Sequence, residues 1–156
     1  MKKSSALVFS LLLIVACTEY PPIPDPGDDC PSCKVLLTVN NLVYAAGDTV
    51  VVTLRNNGNA PVYLEGCNPL HYAVLADTGW QVMLPRMCLW EGYGIKVDAG
   101  TTFTEEYDLN QWKWSGIYKF LATVYFECED NQPISQAGCS GHELIESLQF
   151  AVAPRP

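Results

Sequence analysis

The sequence predicts an all-β protein, an antiparallel β-sandwich of roughly seven to nine strands. Short runs that alternate apolar and polar residues recur along the chain, with turn signals between them. No segment has convincing helical periodicity. The run 115–128 is the longest strand-like segment and is apolar on both faces. Since a strand buries both faces only when other strands flank it and a second sheet packs over it, we expect this run to be the central strand.

Residues 1–16 predict a lipoprotein signal peptide. Lys2 and Lys3 precede an apolar run, 6–16, that is typical of a secretory signal and too short for a membrane-spanning helix. The end of this run, 13–17 (LIVAC), resembles the lipobox of bacterial lipoproteins. That resemblance implies diacylation of Cys17, with palmitate among the acyl chains, after cleavage before it. Because Thr18 follows in place of Asp, it also implies the outer membrane, on either its periplasmic or its surface face. The alternative is a plain secretory signal.

Residues 17–33 predict an extended tether, and residues 34–156 a single domain. The run 21–29 contains several prolines, which fix φ and remove backbone donors, so it cannot form a helix or pair in a sheet. Cleavage before Cys17 leaves seven basic and seventeen acidic residues, a formal net charge of −10. This charge argues against a nucleic-acid partner and against a basic lipid-binding patch. The expected membrane contact is therefore the N-terminal lipid.

The cysteine count indicates disulfides. Six cysteines follow Cys17, and an even number in an exported chain is typical of a disulfide framework. Six cysteines allow fifteen connectivities. The simplest is nearest-neighbour pairing, which joins Cys30 with Cys33, Cys67 with Cys88, and Cys128 with Cys139.

The Cys30–Cys33 pair also has the spacing of a redox centre or of half a zinc site. A redox pair needs its first Cys at a helix start that follows a strand, whereas a proline-rich run precedes this one. A zinc site needs a second close pair of ligands, which the sequence lacks. We therefore favour a structural disulfide over the metal and redox alternatives, and expect no metal or cofactor.

The predicted strands, in chain order, are residues 34–40, 48–55, 61–64, 71–76, 80–84, 101–109, 115–128 and 144–152. The turn at 56–59 (Asn-Asn-Gly-Asn) accommodates positive φ and predicts a hairpin between the second and third strands. In the last strand we expect Leu148, Phe150 and Val152 to face the core. Regularly spaced strands of this kind predict a sandwich of immunoglobulin type.

Three runs carry a family resemblance. Residues 52–62, 98–101 and 115–118 resemble bacterial immunoglobulin-like domains and are most similar to the BsuPI-type proteinase inhibitor domain. The shared features are an Asn-rich turn that leads into Pro-Val and a Gly-x-Tyr entry to a late strand. The resemblance covers about residues 34–126. It implies an immunoglobulin-like sandwich and offers protease inhibition as an alternative function.

The sequence lacks a recognisable catalytic constellation. Nucleophilic catalysis needs a nucleophile, a base and an orienting group that converge in a pocket. His71 and His142 lie far apart in sequence and near no distinctive Ser or Cys motif, so we expect no catalytic residues and interpret His71 as a partly exposed sheet residue. We interpret the acidic run that begins at Glu127 as a solvated loop, since it matches no calcium-binding loop.

Four aromatic residues are the candidate partner-binding residues: Trp90, Tyr93, Trp112 and Trp114. Aromatic side chains on loops anchor partner proteins or stack on sugars. The alternative is that one Trp of the 112/114 pair covers the end of the sandwich while the other is half-exposed, since alternate residues of an extended loop face opposite ways. Together these features predict a non-enzymatic, lipid-anchored envelope protein that acts as a protein-interaction or accessory module.

Overall fold

The computed structural model describes residues 34–83, 91–112 and 115–154. The regular secondary structure of these ranges is β-strand apart from short 3-10 segments such as Leu109–Gln111, and no α-helix lies among them. The strands are β1 (Val35–Val39), β2 (Val43–Tyr44), β3 (Thr49–Asn56), β4 (Val62–Glu65), β5 (His71–Ala76), β6 (Gly79–Met83), β7 (Gly94–Val97), β8 (Thr102–Asp108), β9 (Gly116–Phe126), β10 (Gly141–Glu146) and β11 (Phe150–Val152).

The strands form two sheets that enclose one core, so the all-β sandwich is confirmed. Sheet 1 has the order β1-β3-β8. Sheet 2 has the order β2-β11-β9-β4-β7, with β10 and β5 also paired to β9 and β6 paired to β5. All of these pairings are antiparallel except that of β2 with β11. The eleven described strands exceed the expected number because β2, β7 and β11 are short segments of two to four residues.

β9 is the central strand, as predicted. β11 and β10 pair in succession along one of its edges, and β5 and β4 along the other. Tyr118, Phe120, Ala122 and Val124 point into the core and are fully buried. Leu121, on the opposite face, is also buried. Both faces of this strand are therefore covered over part of its length, which explains why its sequence is apolar at consecutive positions.

The predicted hairpin between β3 and β4 is wrong. Both edges of β3 are occupied by β1 and β8, so β4 joins sheet 2 and the turn between them crosses from one sheet to the other. The Asn56 side chain stabilises this crossing by hydrogen bonds. Its buried Nδ2 donates to the carbonyls of Ala60 at 2.8 Å and Val97 at 3.1 Å, and its Oδ1 accepts from the Gly58 amide at 2.9 Å. The turn residues were recognised correctly, but turn chemistry does not specify which sheet the next strand joins.

The predicted last strand is also partly wrong, because it is interrupted at Ser147. The Ser147 amide donates to the Phe120 carbonyl at 2.9 Å, and the Phe120 amide donates to Ser147 Oγ at 2.9 Å. The side chain thus replaces a backbone partner, and the chain bulges out between β10 and β11. Leu148, predicted to face the core, is instead 71% exposed, whereas Phe150 and Val152 are buried as expected.

The loop after β9 is closed by a disulfide between Cys128 and Cys139, one of the predicted pairs. Inside the loop the Glu129 amide donates to the Ala137 carbonyl at 2.7 Å, and Ala137 is buried. Cys67 is also disulfide-bonded. Its predicted partner Cys88 lies outside the described residues, as do Cys17, Cys30 and Cys33, so those predictions stand untested.

The same loop carries an ion-pair network on the outer face of sheet 2. Tyr63 donates its hydroxyl proton to Asp130 Oδ1 at 2.5 Å, and Lys96 Nζ lies 2.8 Å from Asp130 Oδ2. The hydrogen bonds from Lys96 and Tyr63 lower the pKa of the Asp130 carboxyl. Because the folded-state pKa lies below the unfolded one, Asp130 stabilises the fold above its ordinary pKa of about 3.9, and this stabilisation is lost as the pH falls through the lower value.

Replacing Asp130 by Asn is therefore expected to lower stability at neutral pH but to have a shrinking effect in acid. The gap between the urea midpoints of the wild type and Asp130→Asn should close as the pH falls from about 5 towards the folded-state pKa. Asp98→Asn is the matched control, since Asp98 lies 3.9 Å from the same Lys96 Nζ and is well exposed. A gap that stays constant with pH would show that Asp130 acts by packing and not by charge.

Candidate binding cleft between the two sheets

A cleft of about 350 Å³ opens where the edge strand β8 of sheet 1 faces the beginning of β5 in sheet 2. Sheet order explains the opening. β8 ends sheet 1, and no described strand continues the sheet beyond it. The described residues that line the cleft are Asn68, Leu70, His71, Tyr72, Met83, Glu105, Glu106, Tyr107, Asp108, Gln111 and Trp112.

One wall of the cleft is aromatic. The rings of Tyr72 and Trp112 stack, with centroids 4.3 Å apart and an interplanar angle of 16°. Trp112 also lies 4.7 Å from the ring of Tyr118 on β9. The 3-10 helix positions Trp112, because the Trp112 amide donates to the Leu109 carbonyl at 3.1 Å. Trp112 is thus a half-buried lid over the core, which is one of the two arrangements that the sequence allowed.

The facing wall carries an inward-pointing carboxylate. Along β8 the half-buried side chains are Phe103, Glu105 and Tyr107, whereas the residues between them are exposed. The Tyr107 hydroxyl lies 2.8 Å from Glu105 Oε2 and 3.2 Å from the Leu70 carbonyl. A hydroxyl has one proton, and the shorter contact to a charged acceptor indicates that Glu105 receives it. Burial, and then the hydrogen bond to Glu105, raises the pKa of Tyr107, so it remains a donor at neutral pH.

His71 contributes a buried polar atom without a partner. His71 begins β5 and is half-buried, in agreement with the sequence-based interpretation. Its Nδ1 atom is buried and has no hydrogen-bond partner. A buried polar atom left unpaired costs on the order of 1–3 kcal/mol, so such atoms need an explanation. His71 pairs in register with Leu121, which lies on the face of β9 opposite the core, so its side chain points to the outer face of sheet 2 and not into the cleft.

The cleft is acidic. Glu106 and Asp108 are exposed at its rim, and Glu105 lies further in. Among the described lining residues there is no Lys or Arg. Asp108 also caps the 3-10 helix, accepting from the Asn110 amide at 2.8 Å. Of these carboxylates, Glu105 is the one on the inward face of β8, since residues 106 and 108 alternate to the opposite face.

Two other cavities are occupied by structural networks. One of about 380 Å³ lies beside Asn56 and Lys34, where the Asn56 side chain is committed to the crossing between the sheets. The other, about 290 Å³, contains the Tyr63, Lys96 and Asp130 network under the disulfide loop. In each cavity a central polar side chain, Asn56 or Asp130, is held by hydrogen bonds within the protein, which makes these cavities weaker candidates than the cleft beside β8.

Of the four candidate aromatic residues, the two that the structure describes lie in different cavities. Trp112 lines the cleft, whereas Tyr93 is exposed in the cavity under the disulfide loop. Trp90 and Trp114 lie outside the described residues. The described ranges contain no group of three or more His, Cys, Asp and Glu residues that could hold a metal ion. Within the same ranges, no helix is both long and apolar enough to cross a bilayer.

Sequence reasoning missed Glu105. The sequence did contain one signal: residues 103, 105 and 107 alternate along a predicted strand and therefore lie on the same face. A carboxylate on the same face as Phe103 and Tyr107 is an exception to the apolar-in pattern and marks a place where the core opens.

Comparison with known proteins gives no family assignment. No family model matches the chain. No curated protein matches it. Among solved structures, the chain is similar to a Pseudomonas fluorescens alkylpurine DNA glycosylase, AlkC, bound to DNA that contains an abasic site analog. The match has 15% identity and a TM-score of 0.35, and it covers 78% of this chain and 31% of that one. A likeness at this level carries no argument about function.

Proposed function

We propose that this protein is a non-enzymatic binding module of the bacterial envelope, anchored by lipid at Cys17, that holds a segment of a partner protein in the cleft between β5 and β8. The observation that carries the proposal is the wall of the cleft: Tyr72 and Trp112 stack on one side and Glu105 lies on the other. Aromatic anchors with a few placed polar groups are typical of recognition sites.

The chemistry of the lining supports binding over catalysis. The described lining residues include a histidine and carboxylates but no Ser, Thr, Cys or Lys nucleophile. The pKa of Tyr107, whose hydroxyl donates to Glu105, is raised, so this hydroxyl is a poor nucleophile at neutral pH. The His71 side chain lies on the outer face of sheet 2, in register with Leu121, so it is not placed to act as a general base in the cleft.

Site-specific photo-cross-linking in intact cells tests the proposal. A photoreactive amino acid at Gln111, which is exposed and lines the cleft, should give a discrete adduct with one partner. The same group at Thr38, exposed on the outer face of sheet 1, is the matched control and should give none. Adding Trp112→Ala to the variant that carries the photoreactive amino acid at position 111 should abolish the adduct.

Equal adducts from both positions, or none from Gln111, would contradict a binding role for the cleft.

If the partner is a protease and the purified protein inhibits it, the result supports the inhibitor function that the BsuPI-type resemblance implies. A protease panel run with wild-type protein and Trp112→Ala distinguishes this from simple docking.

A further inference from the structure

We propose that a second copy of this chain adds to the free edge of β6, so that sheet 2 continues across a two-fold symmetric dimer. In the described residues β6 pairs with β5 and with no other strand. A free edge presents unpaired backbone amides and carbonyls, and these groups pair readily with another strand. This inference goes beyond the proposed function and does not rest on it, because the partner segment proposed above occupies the cleft between β5 and β8.

β6 lacks the charged side chains that protect longer edge strands of this fold. Charges on an edge strand oppose pairing with another chain, most strongly when they point inward. β8 has Glu105 on its inward face, β10 has Glu143 in register with a core residue of β9, and β7 has Lys96. β1 is uncharged, but it lies alongside β10. Residues 79–83 of β6 (GWQVM) also contain no charge, so this edge is open to another strand.

The outer face of sheet 2 is apolar beside this edge. Trp80 pairs with Leu75, and Val82 pairs with Ala73, so all four side chains lie on one face of the sheet. The Trp80 ring centroid lies 4.6 Å from Nζ of Lys119, which is in register with Ala73 on the outer face of β9. Val82 is 53% exposed and Leu75 is 45% exposed. Because strand positions that face solvent are usually polar, exposed apolar neighbours of this kind are typical of a surface that a partner covers.

The bonds of β9 determine which backbone groups of β5 are directed to β6. The amide of Phe120 donates to Ser147 Oγ and its carbonyl accepts from the Ser147 amide, on the side of β9 where β10 and β11 pair. Successive residues of a strand direct their backbone groups to opposite edges. Lys119 therefore directs its groups to β5, where it pairs with Ala73. The residues on either side of Ala73 are then bonded to β6.

The same alternation places two residues of β6 at the free edge. Val74 pairs with Gln81, so the backbone groups of Gln81 are directed to β5. The amides and carbonyls of Trp80 and Val82 are then directed away from β5. One antiparallel register with a second copy bonds all four of these groups. It pairs Trp80 of each copy with Val82 of the other and places Gln81 opposite itself.

This register is chemically self-complementary, and for that reason we assign the edge to a second copy. Trp80 meets Val82, and an aromatic residue opposite a β-branched residue is a favourable cross-strand pair. Gln81 meets Gln81, and because its amide group carries both donors and an acceptor, the two copies can hydrogen-bond each other. A two-fold interface repeats each contact away from the axis, so the pair of Trp80 with Val82 occurs twice.

Disulfide trapping of the full chain, in intact cells that make it, tests this inference. Residues directly opposite each other in a non-hydrogen-bonded pair have Cα atoms about 4.5 Å apart, a separation that a disulfide bridges. We expect Gln81→Cys to give a covalent dimer of the chain after mild oxidation, seen on a non-reducing gel and confirmed by its mass. Thr78→Cys, exposed in the turn of the same hairpin, is the matched control. It should give less than about a tenth as much dimer, because position 78 lies far from its own copy in this register.

A charge at the axis tests the interface with the native cysteines in place. Gln81→Lys sets two like charges directly opposite each other, which destabilises a cross-strand pair. In native mass spectra of the full chain in detergent, we expect the wild type to form a dimer and Gln81→Lys to dissociate at least about tenfold more readily. Thr78→Lys, which adds the same charge in the turn, should change the dimer less than about twofold. Both positions are exposed, so an unchanged thermal midpoint is expected for both variants.

Three results would overturn the inference: a monomeric wild type, equal trapping at positions 78 and 81, and no trapped dimer from Gln81→Cys. A Gln81→Cys adduct with a different protein would assign the free edge to that protein and would overturn the inference as well. Each of these results is separate from the proposed function, which is judged by the Gln111 adduct.

Discussion

Phe120→Ala is expected to destabilise the domain by about 3–5 kcal/mol, the usual cost of truncating a fully buried Phe. Phe120 lies in the middle of β9 and has 0% exposure. Its ring is 4.7 Å from Tyr107 in sheet 1 and 5.6 Å from Phe150 in sheet 2, so it joins the two sheets. Removing it leaves a cavity in the middle of the sandwich, where neighbouring strands cannot collapse because β9 is paired on both edges.

Urea denaturation followed by tryptophan fluorescence measures this loss, and Ile117→Ala provides the control. Ile117 lies on the same strand but is 37% exposed on the outer face of sheet 2. Its truncation should cost less than about 1 kcal/mol. Similar losses for the two variants would show that β9 is not the central buried strand.

Replacing both Cys128 and Cys139 by Ser is expected to cost about 3 kcal/mol. The disulfide closes a loop with a sequence separation of 11. On the chain-entropy model a cross-link of this length restricts the unfolded chain by about that amount. The loop also delivers Asp130 to Tyr63 and Lys96, and the hydrogen bond between Glu129 and Ala137 keeps part of it in place after the link is removed.

The double variant is preferable to chemical reduction, because a reductant would also open the disulfide of Cys67. Equilibrium urea unfolding of the oxidised wild type and of the Ser/Ser variant gives the difference directly. A change of less than about 0.5 kcal/mol would show that the unfolded chain is not restricted by this link, contrary to the entropic account.

The elements that could be predicted from the sequence are those whose cause is local. The consecutive apolar residues of β9 require cover on both faces. The short turn at 77–79 joins two predicted strands, which pair with each other as β5 and β6. Strand partnership is different, because it depends on which edges remain free. The Asn-rich turn after β3 was recognised, but both edges of β3 are taken by strands distant in sequence, β1 and β8.

The exposed Leu148 and the cleft show the second limit. A period-two pattern through residues 144–152 places Leu148 inward unless a bulge shifts the register, and the bulge arises from one Ser147 hydroxyl that hydrogen-bonds the Phe120 amide. The cleft likewise depends on how far β8 lies from β5. These two strands belong to different sheets and face each other across the sandwich. Of its residues, Trp112 and His71 drew attention in the sequence, whereas Glu105 became significant only once the inward face of β8 was established.

Hydrogen–deuterium exchange tests the central claim, a binding cleft between the sheets, most directly. The protein in washed envelope fractions of the cells that make it, where the proposed lipid anchor would retain it, is compared with the same protein purified in detergent. We predict slower amide exchange in the envelope at β8, including Thr104, and at residues 68–72. Thr38 and Thr53, which lie on the outer face of sheet 1, should exchange at the same rate in both samples. Protection confined to β1 and β10, or identical exchange in both samples, would contradict the account.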